Sequence, residues 1–287
     1  MKKNTKFKFE YFLYFIFNFI SKILPLFLLQ FLGKLSGVFF IIFSKRKKII
    51  YKNLGLIFPS KKFFEKLKIL IKCSAHFGKV AFEYLKYSSD EKLIDKKIKI
   101  IGIDNLKKAL NEKKGVFIVS AHFGNWEIAA LALSKIGFAQ GMVHRPLDNP
   151  LLEKELSLRR TKYGNWLIPK RGALKQILKD LRQGKLIDLL IDQKATAEQS
   201  FKVRFLGQET NVISSLSKIV KFEKSPVIFL FSYPERLGYK VLLREPIYYK
   251  GESEKELTQK YADILSDEIM KYPHLWLLHH NRFEKNF

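Results

Sequence analysis

Residues 116–137 read VFIVSAHFGNWEIAALALSKIG, and the hydrophobic period changes halfway along. VFIVS is a continuous apolar run rich in β-branched residues, the mark of a buried strand. Past His122 and a glycine the spacing turns helical, with Asn125 at the start of the helix and Glu127 in its first turn. One strand, one tight turn and one helix are thus written in sequence.

The same alternation continues outward. AQGMVHR predicts a strand and NPLLEKELSLRRTKYG a helix; NWLIP predicts a short strand, ALKQILKDLRQG a helix ended by its glycine, and LIDLLIDQ a strand. FKVRFLG then reads as a strand, ISSLSKIVKFEK as a helix, PVIFLFSY with YKVLLREPIYY as a closing strand pair, and KELTQKYADILSDEIMKYP as the last helix. Upstream, NLGLIFP at 53–59 precedes a helical pattern in KKFFEKLKILIKCSAHFGKVAFEYLKY. Strands alternating with helices predict an α/β fold, a mixed and largely parallel sheet flanked by helices. Ligands of such sheets sit at the carboxyl ends of the strands, where His122, Arg145 and Asp192 fall. No repeat or linker divides residues 45–287, which are expected to form one catalytic domain.

The chain has 287 residues, 47% of them hydrophobic, enough for a full core. Its formal charge of +26 comes almost wholly from lysine, since only ten of the 53 basic residues are arginine. Part of this reflects a composition rich in Lys, Phe, Ile and Asn; the rest is a surface that attracts acidic partners such as nucleic acid, anionic lipid or an acidic carrier protein. The single cysteine, Cys73, excludes an intrachain disulfide and suits a reducing compartment.

Residues 1–44 differ in kind. From Tyr11 to Phe43 the chain is apolar and aromatic, with Lys2, Lys3, Lys6 and Lys8 before it and Lys45, Arg46, Lys47 and Lys48 after it. No small-residue cleavage site follows, so the segment is expected to be retained. Two basic flanks favour both ends on the cytoplasmic side. That leaves a shallow hairpin broken near Pro25 or helices lying in the interface; the alternatives to it are a single crossing from Tyr11 to about Leu32 and a buried core helix of a soluble protein.

His122 and Glu127 are five positions apart and can meet only if the chain turns between them, which Gly124 permits. A carboxylate on one imidazole nitrogen makes the other a better base. On these residues alone the better reading is that Glu127 caps the helix and His122 is a loop histidine with its bonds satisfied. A zinc site is disfavoured, because helical ligands pair at i and i+4 and no third ligand stands nearby. Asp192 ends an apolar strand and needs a partner there, for which an arginine is the natural choice.

The ordered series HFGNWE, HRPLDNP, RRTKYG, KRGALKQILKDLRQGK, DQ, VRFLGQET and WLLHHNRF resembles the bacterial lipid A biosynthesis acyltransferases, within the lysophospholipid and glycerolphosphate acyltransferase superfamily. The resemblance implies an acyltransferase-like fold and transfer of an acyl chain from an acyl carrier protein thioester to a hydroxyl of a lipid A precursor of the Kdo-lipid IVA type. It implies work at the cytoplasmic face of the inner membrane, with no metal or organic cofactor and no nucleic-acid partner. His122 and Glu127 would be the catalytic pair, and Gly124 and Asn125 the turn that shapes an oxyanion site. Arg145, Arg159, Arg160 and Arg171, with Asp192, would bind substrate, since a planar guanidinium grips phosphate bidentately. The chain departs from the family pattern at His144, where tyrosine is usual, and at Asn281, where a basic residue is frequent. Competing readings are a phospholipid or mannolipid acyltransferase, a basic nucleic-acid-binding protein, and a non-catalytic membrane scaffold.

Overall fold

The apolar runs become the strands of one seven-stranded sheet in the computed structural model, which describes residues 3–283. Lys2 of the N-terminal basic flank lies outside them. Four helices come first: α1 (Lys3–Ile23), α2 (Leu26–Phe43), α3 (Arg46–Ile57) and α4 (Phe63–Ser89). Then follow α5 (Glu91–Lys97), β1 (Ile98–Ile101), α6 (Ile103–Leu110), β2 (Val116–Ser120), α7 (Trp126–Lys135), β3 (Gln140–His144), α8 (Pro150–Arg160), β4 (Trp166–Pro169), α9 (Ala173–Arg182) and β5 (Leu186–Leu190). A separate hairpin, β6 (Ser200–Phe205) and β7 (Gln208–Ile213), precedes α10 (Ser215–Glu223), β8 (Val227–Pro234), β9 (Tyr239–Leu243) and α11 (Glu254–Lys271).

The strand order is β1-β9-β8-β2-β5-β3-β4. All pairings are parallel except β8 with β9, so the fold is mixed and largely parallel as expected. Every residue of β2 is buried, because helices cover both faces of the sheet and leave no solvent side for a polar residue. Alternate residues feed two cores. Phe117 and Val119 pack with Leu181, Val220, Leu257 and Tyr261, whereas Val116 and Ile118 pack with Leu106, Ala109, Ala129 and Leu133. Residues 90–113, which carry no clear sequence signal, supply α5, the edge strand β1 and α6. β1 is short and half-exposed, so its pattern lacks the apolar density that betrays the inner strands.

The N-terminal chain breaks at Pro25, which ends the geometry of one helix from Tyr11 to Leu32. α2 packs on α4 through glycines: a Cβ at Gly37 would lie 2.1 Å from Ser74 O, and one at Gly78 would lie 2.2 Å from Gly33 O. The opposite face carries Phe27, Phe31, Leu35, Phe39 and Phe43, between 53% and 73% exposed and spaced by four, hence one stripe. A buried side-chain bond joins the same two helices: Gln30 of α2 donates to Glu83 of α4 at 2.6 Å.

Candidate active site

The register of two strands assembles the site. β2 and β5 are parallel neighbours with Ser120 opposite Leu190, so His122 and Asp192, two residues past each strand, come out side by side. His122 Nδ1 stands 2.8 Å from Asp192 Oδ1. The other carboxylate oxygen accepts the Trp276 indole N–H at 2.8 Å. On the far side of the imidazole, the Gln193 amide lies 3.1 Å from Nε2. With Nδ1–H donating to Asp192, Nε2 carries the lone pair and accepts from Gln193; the ring is set as a base facing outward.

Charge follows geometry. Burial alone would push the imidazolium down, but the charge and hydrogen bond of Asp192, with a contribution from Glu127, hold the His122 pKa above its ordinary value. Burial raises the Asp192 carboxyl, and the His122 charge and the bonds from His122 and Trp276 more than reverse this. The two shifts describe one stabilised pair.

The turn between β2 and α7 is forced by its surroundings. Gly124 adopts φ +61°, and a Cβ there would fall 1.7 Å from Ser232 O of β8. Its N–H donates to Leu275 O at 2.8 Å. His76 Nε2 lies 3.1 Å from Gly124 O, and because burial lowers the His76 pKa to about 3 the ring stays neutral and serves as the donor. Asn125 caps α7 by accepting the Ile128 N–H at 3.2 Å. The Trp126 ring meets His122 edge-on, with centroids 4.9 Å apart.

Glu127 has a different partner from the one its spacing suggested. Arg160 of α8 grips it bidentately, with Nε 2.9 Å from Oε2 and Nη2 bonded to Oε1. The helix start aims Glu127 toward α8, while the parallel register delivers Asp192 to the imidazole. Asp192 accordingly pairs with His122 and Trp276, and not with an arginine. The other arginines disperse. Arg145 is exposed in a surface pair with Asp148, and Arg171 is exposed in the loop before α9. Arg159 ties α8 to α1, donating to Tyr14 Oη at 3.0 Å and Asn18 Oδ1 at 2.7 Å.

Gln193 and Trp276 lie in the DQ and WLLHHNRF segments of the series, but nothing in their spacing marks their roles, and His76 carries no signal at all. Asp188 lies mid-strand in β5 opposite Ile118 and Met142, and burial, then the charge of Glu127, pushes its carboxyl up to about 7. An aspartate inside LIDLLI was the available hint. Among the described residues no serine or cysteine joins His122: Ser120 Oγ donates to Leu230 O at 2.6 Å, and burial pushes the Cys73 thiol up to about 12. No group of three or more His, Cys, Asp or Glu among them could hold a metal ion.

A base held by a buried carboxylate at parallel strand ends, with no side-chain nucleophile on it, defines a site that can activate a hydroxyl of its substrate. The chain belongs to the bacterial lipid A biosynthesis acyltransferase family, whose model matches residues 2–285. It is thus an acyltransferase of lipid A biosynthesis. The lipid A biosynthesis palmitoleoyltransferase of Escherichia coli (strain K12) is 26% identical over 272 residues, covering 91% of this chain and 86% of that one. The lipid A biosynthesis lauroyltransferase of the same organism is 23% identical over 260 residues, covering 88% and 83%. Among solved structures, the 1-acyl-sn-glycerophosphate (LPA) acyltransferase PlsC from Thermotoga maritima aligns with a TM-score of 0.41 and 13% identity, over 85% of this chain and 97% of that one.

Proposed function

We propose that this enzyme transfers a fatty acyl chain from an acyl carrier protein thioester to a hydroxyl of a lipid A precursor of the Kdo-lipid IVA type, with His122 as general base. The observation that carries the reading is the 2.8 Å His122–Asp192 contact, which leaves Nε2 as the lone-pair nitrogen. The acceptor hydroxyl displaces or shares the Gln193 amide and gives its proton to Nε2. Its oxygen attacks the thioester carbonyl, and the C–S bond then breaks. A thiol pKa of about 8.5 makes the thiolate a competent leaving group without a strong acid.

Asp192 orients the ring and stabilises the imidazolium. Glu127 acts through its charge, restrained by Arg160. The Gly124 N–H is occupied by Leu275, so the oxyanion falls to the free N–H groups of the first turn of α7, at Trp126 and Glu127. Arg145 and Arg171, both exposed, suit phosphates of the incoming substrates. The +26 charge supports docking of an acidic carrier protein.

The N-terminal helices place the enzyme at the cytoplasmic face of the inner membrane in this reading. α2 is, among the described residues, the helix long and apolar enough to cross a membrane, with mean hydropathy 2.1 and 22% of it buried. At about 1.5 Å per residue its 18 residues span about 27 Å, close to the hydrocarbon thickness. The phenylalanine stripe gives that helix its lipid-facing side.

The test is a purified full-length His122→Ala variant assayed with acyl carrier protein thioester and lipid A precursor, products being weighed by mass spectrometry. Turnover should fall at least about 100-fold with fold and membrane binding intact. Near-normal turnover would remove His122 as base. Failure of the wild type with carrier-bound donor, alongside turnover of another thioester, would remove the donor assignment.

A further inference from the structure

Two motifs take no part in the mechanism above, NLG at 53–55 and WLLHHN at 276–281, and the structure brings them together behind the base. Residues 275–280 run back along the catalytic turn. Gly124 N–H donates to Leu275 O at 2.8 Å and Leu277 N–H donates to His122 O at 2.9 Å, framing an isolated bridge between Phe123 and Trp276. On its outer side the segment is held chiefly by one side chain, with Arg46 Nη1 a further 3.5 Å from His279 O. Asn53 of α3, 1% exposed, sends its single amide group to Leu278 O at 2.9 Å and His280 O at 2.8 Å. Cys73 Sγ of α4 approaches Trp276 O at 3.4 Å.

The result is a Trp276 side chain 1% exposed, with its indole N–H on the Asp192 oxygen that His122 does not use. Both carboxylate oxygens are thereby directed. Without the indole, either oxygen of Asp192 could face Nδ1, and the pair would keep its charge but lose its fixed geometry.

We propose that residues 275–280 form a strap that positions the catalytic base, with Trp276 as the positioning donor to Asp192 and Asn53 as the anchor of the strap. This rests on the reading of His122 and Asp192 as the base pair. Neither Trp276 nor Asn53 is placed against substrate; each acts through Asp192. The indole also withdraws charge from the carboxylate, so its loss should strengthen the hold of Asp192 on the imidazolium.

The experiment compares full-length wild type, Trp276→Phe, Asn53→Ala, Asp192→Asn and His122→Ala, measuring kcat and KM with carrier-bound donor across pH. Trp276→Phe should lower kcat about 10-fold, less than the roughly 100-fold or more lost with a donor that touches the reacting atoms, leave both KM values within about twofold, and move the acid limb of kcat/KM to higher pH. Asn53→Ala should lower kcat several-fold at unchanged KM and speed hydrogen exchange at the Leu277 amide. Should Trp276→Phe not fold, Asn53→Ala decides. Wild-type kcat and acid limb in a folded Trp276→Phe or Asn53→Ala, with Asp192→Asn and His122→Ala inactive, would overturn the strap and leave the base standing. Activity in His122→Ala would overturn the base itself.

Discussion

The strand-end site and the N-terminal helices share one molecule but opposite designs. Around His122 the groups that fix the ring and its turn are held: Asp192 by His122 and Trp276, Gly124 by Leu275 and His76, Glu127 by Arg160. Along α2 the inner face is packed glycine against glycine, while the outer stripe of Phe27, Phe31, Leu35, Phe39 and Phe43 stays more than half exposed. A base must be aimed to a fraction of an ångström before chemistry begins, so its shell is over-determined. A surface for lipid, the role proposed for this stripe, needs area and no aim, since apolar transfer is non-directional.

The sharpest way to break this contrast is to disturb the turn. Gly124→Ala places a Cβ on Ser232 O at a left-handed φ, so the His122 loop must move. Activity should fall below detection, with thermal unfolding showing a loss of several kcal/mol, the scale of strain plus lost contacts. A variant of normal activity would show the site to be far softer than its bonds suggest.

The membrane side should respond in the reverse way. Replacing Phe31 and Phe39 with serine removes about 1.5–3 kcal/mol of apolar transfer per ring. Co-sedimentation with anionic vesicles should weaken markedly while turnover of detergent-dispersed acceptor stays near wild type. Loss of both together would mean that the stripe belongs to the fold rather than to a lipid contact.

Smaller effects separate long-range charge from the local pair. The apparent KM for carrier-bound donor should rise several-fold as salt shortens the Debye length below about 8 Å, whereas kcat should hold. A salt-independent KM would assign the basic surface to something other than docking. The acid limb of kcat/KM should lie above the ordinary histidine value of about 6.5, because the base works unprotonated and Asp192 favours the protonated ring. The same shift contributes stability that is complete at low pH and lost as pH rises through the elevated pKa, so activity and this part of stability run in opposite directions. A limb below about 6 would disconnect Asp192 from the base.

The change of period in VFIVSAHFGNWEIAALALSKIG suffices for a strand, a turn and a helix, because burial on both faces of a parallel sheet leaves a continuous apolar run and one face of a helix leaves a spaced one. Pro25, Gly124 and the capping Asn125 are equally legible, since each acts on the backbone within a few residues of itself. The outward stripe of α2 is not legible in the same way, because the helix is apolar on nearly every side and only its packing on α4 decides which face is left exposed. Nor does spacing decide which carboxylate reaches His122. Glu127 is near in sequence, but the helix directs it to Arg160, and Asp192, 70 positions away, arrives because Ser120 pairs with Leu190 across two parallel strands. Trp276 and Asn53 are further still, and they meet the site only after the C-terminal segment returns along the catalytic turn. Local patterns record backbone period and solvent contact, which every residue feels where it stands; strand register and long-range return of the chain are properties of the packed whole, and they alone choose the partners of the base.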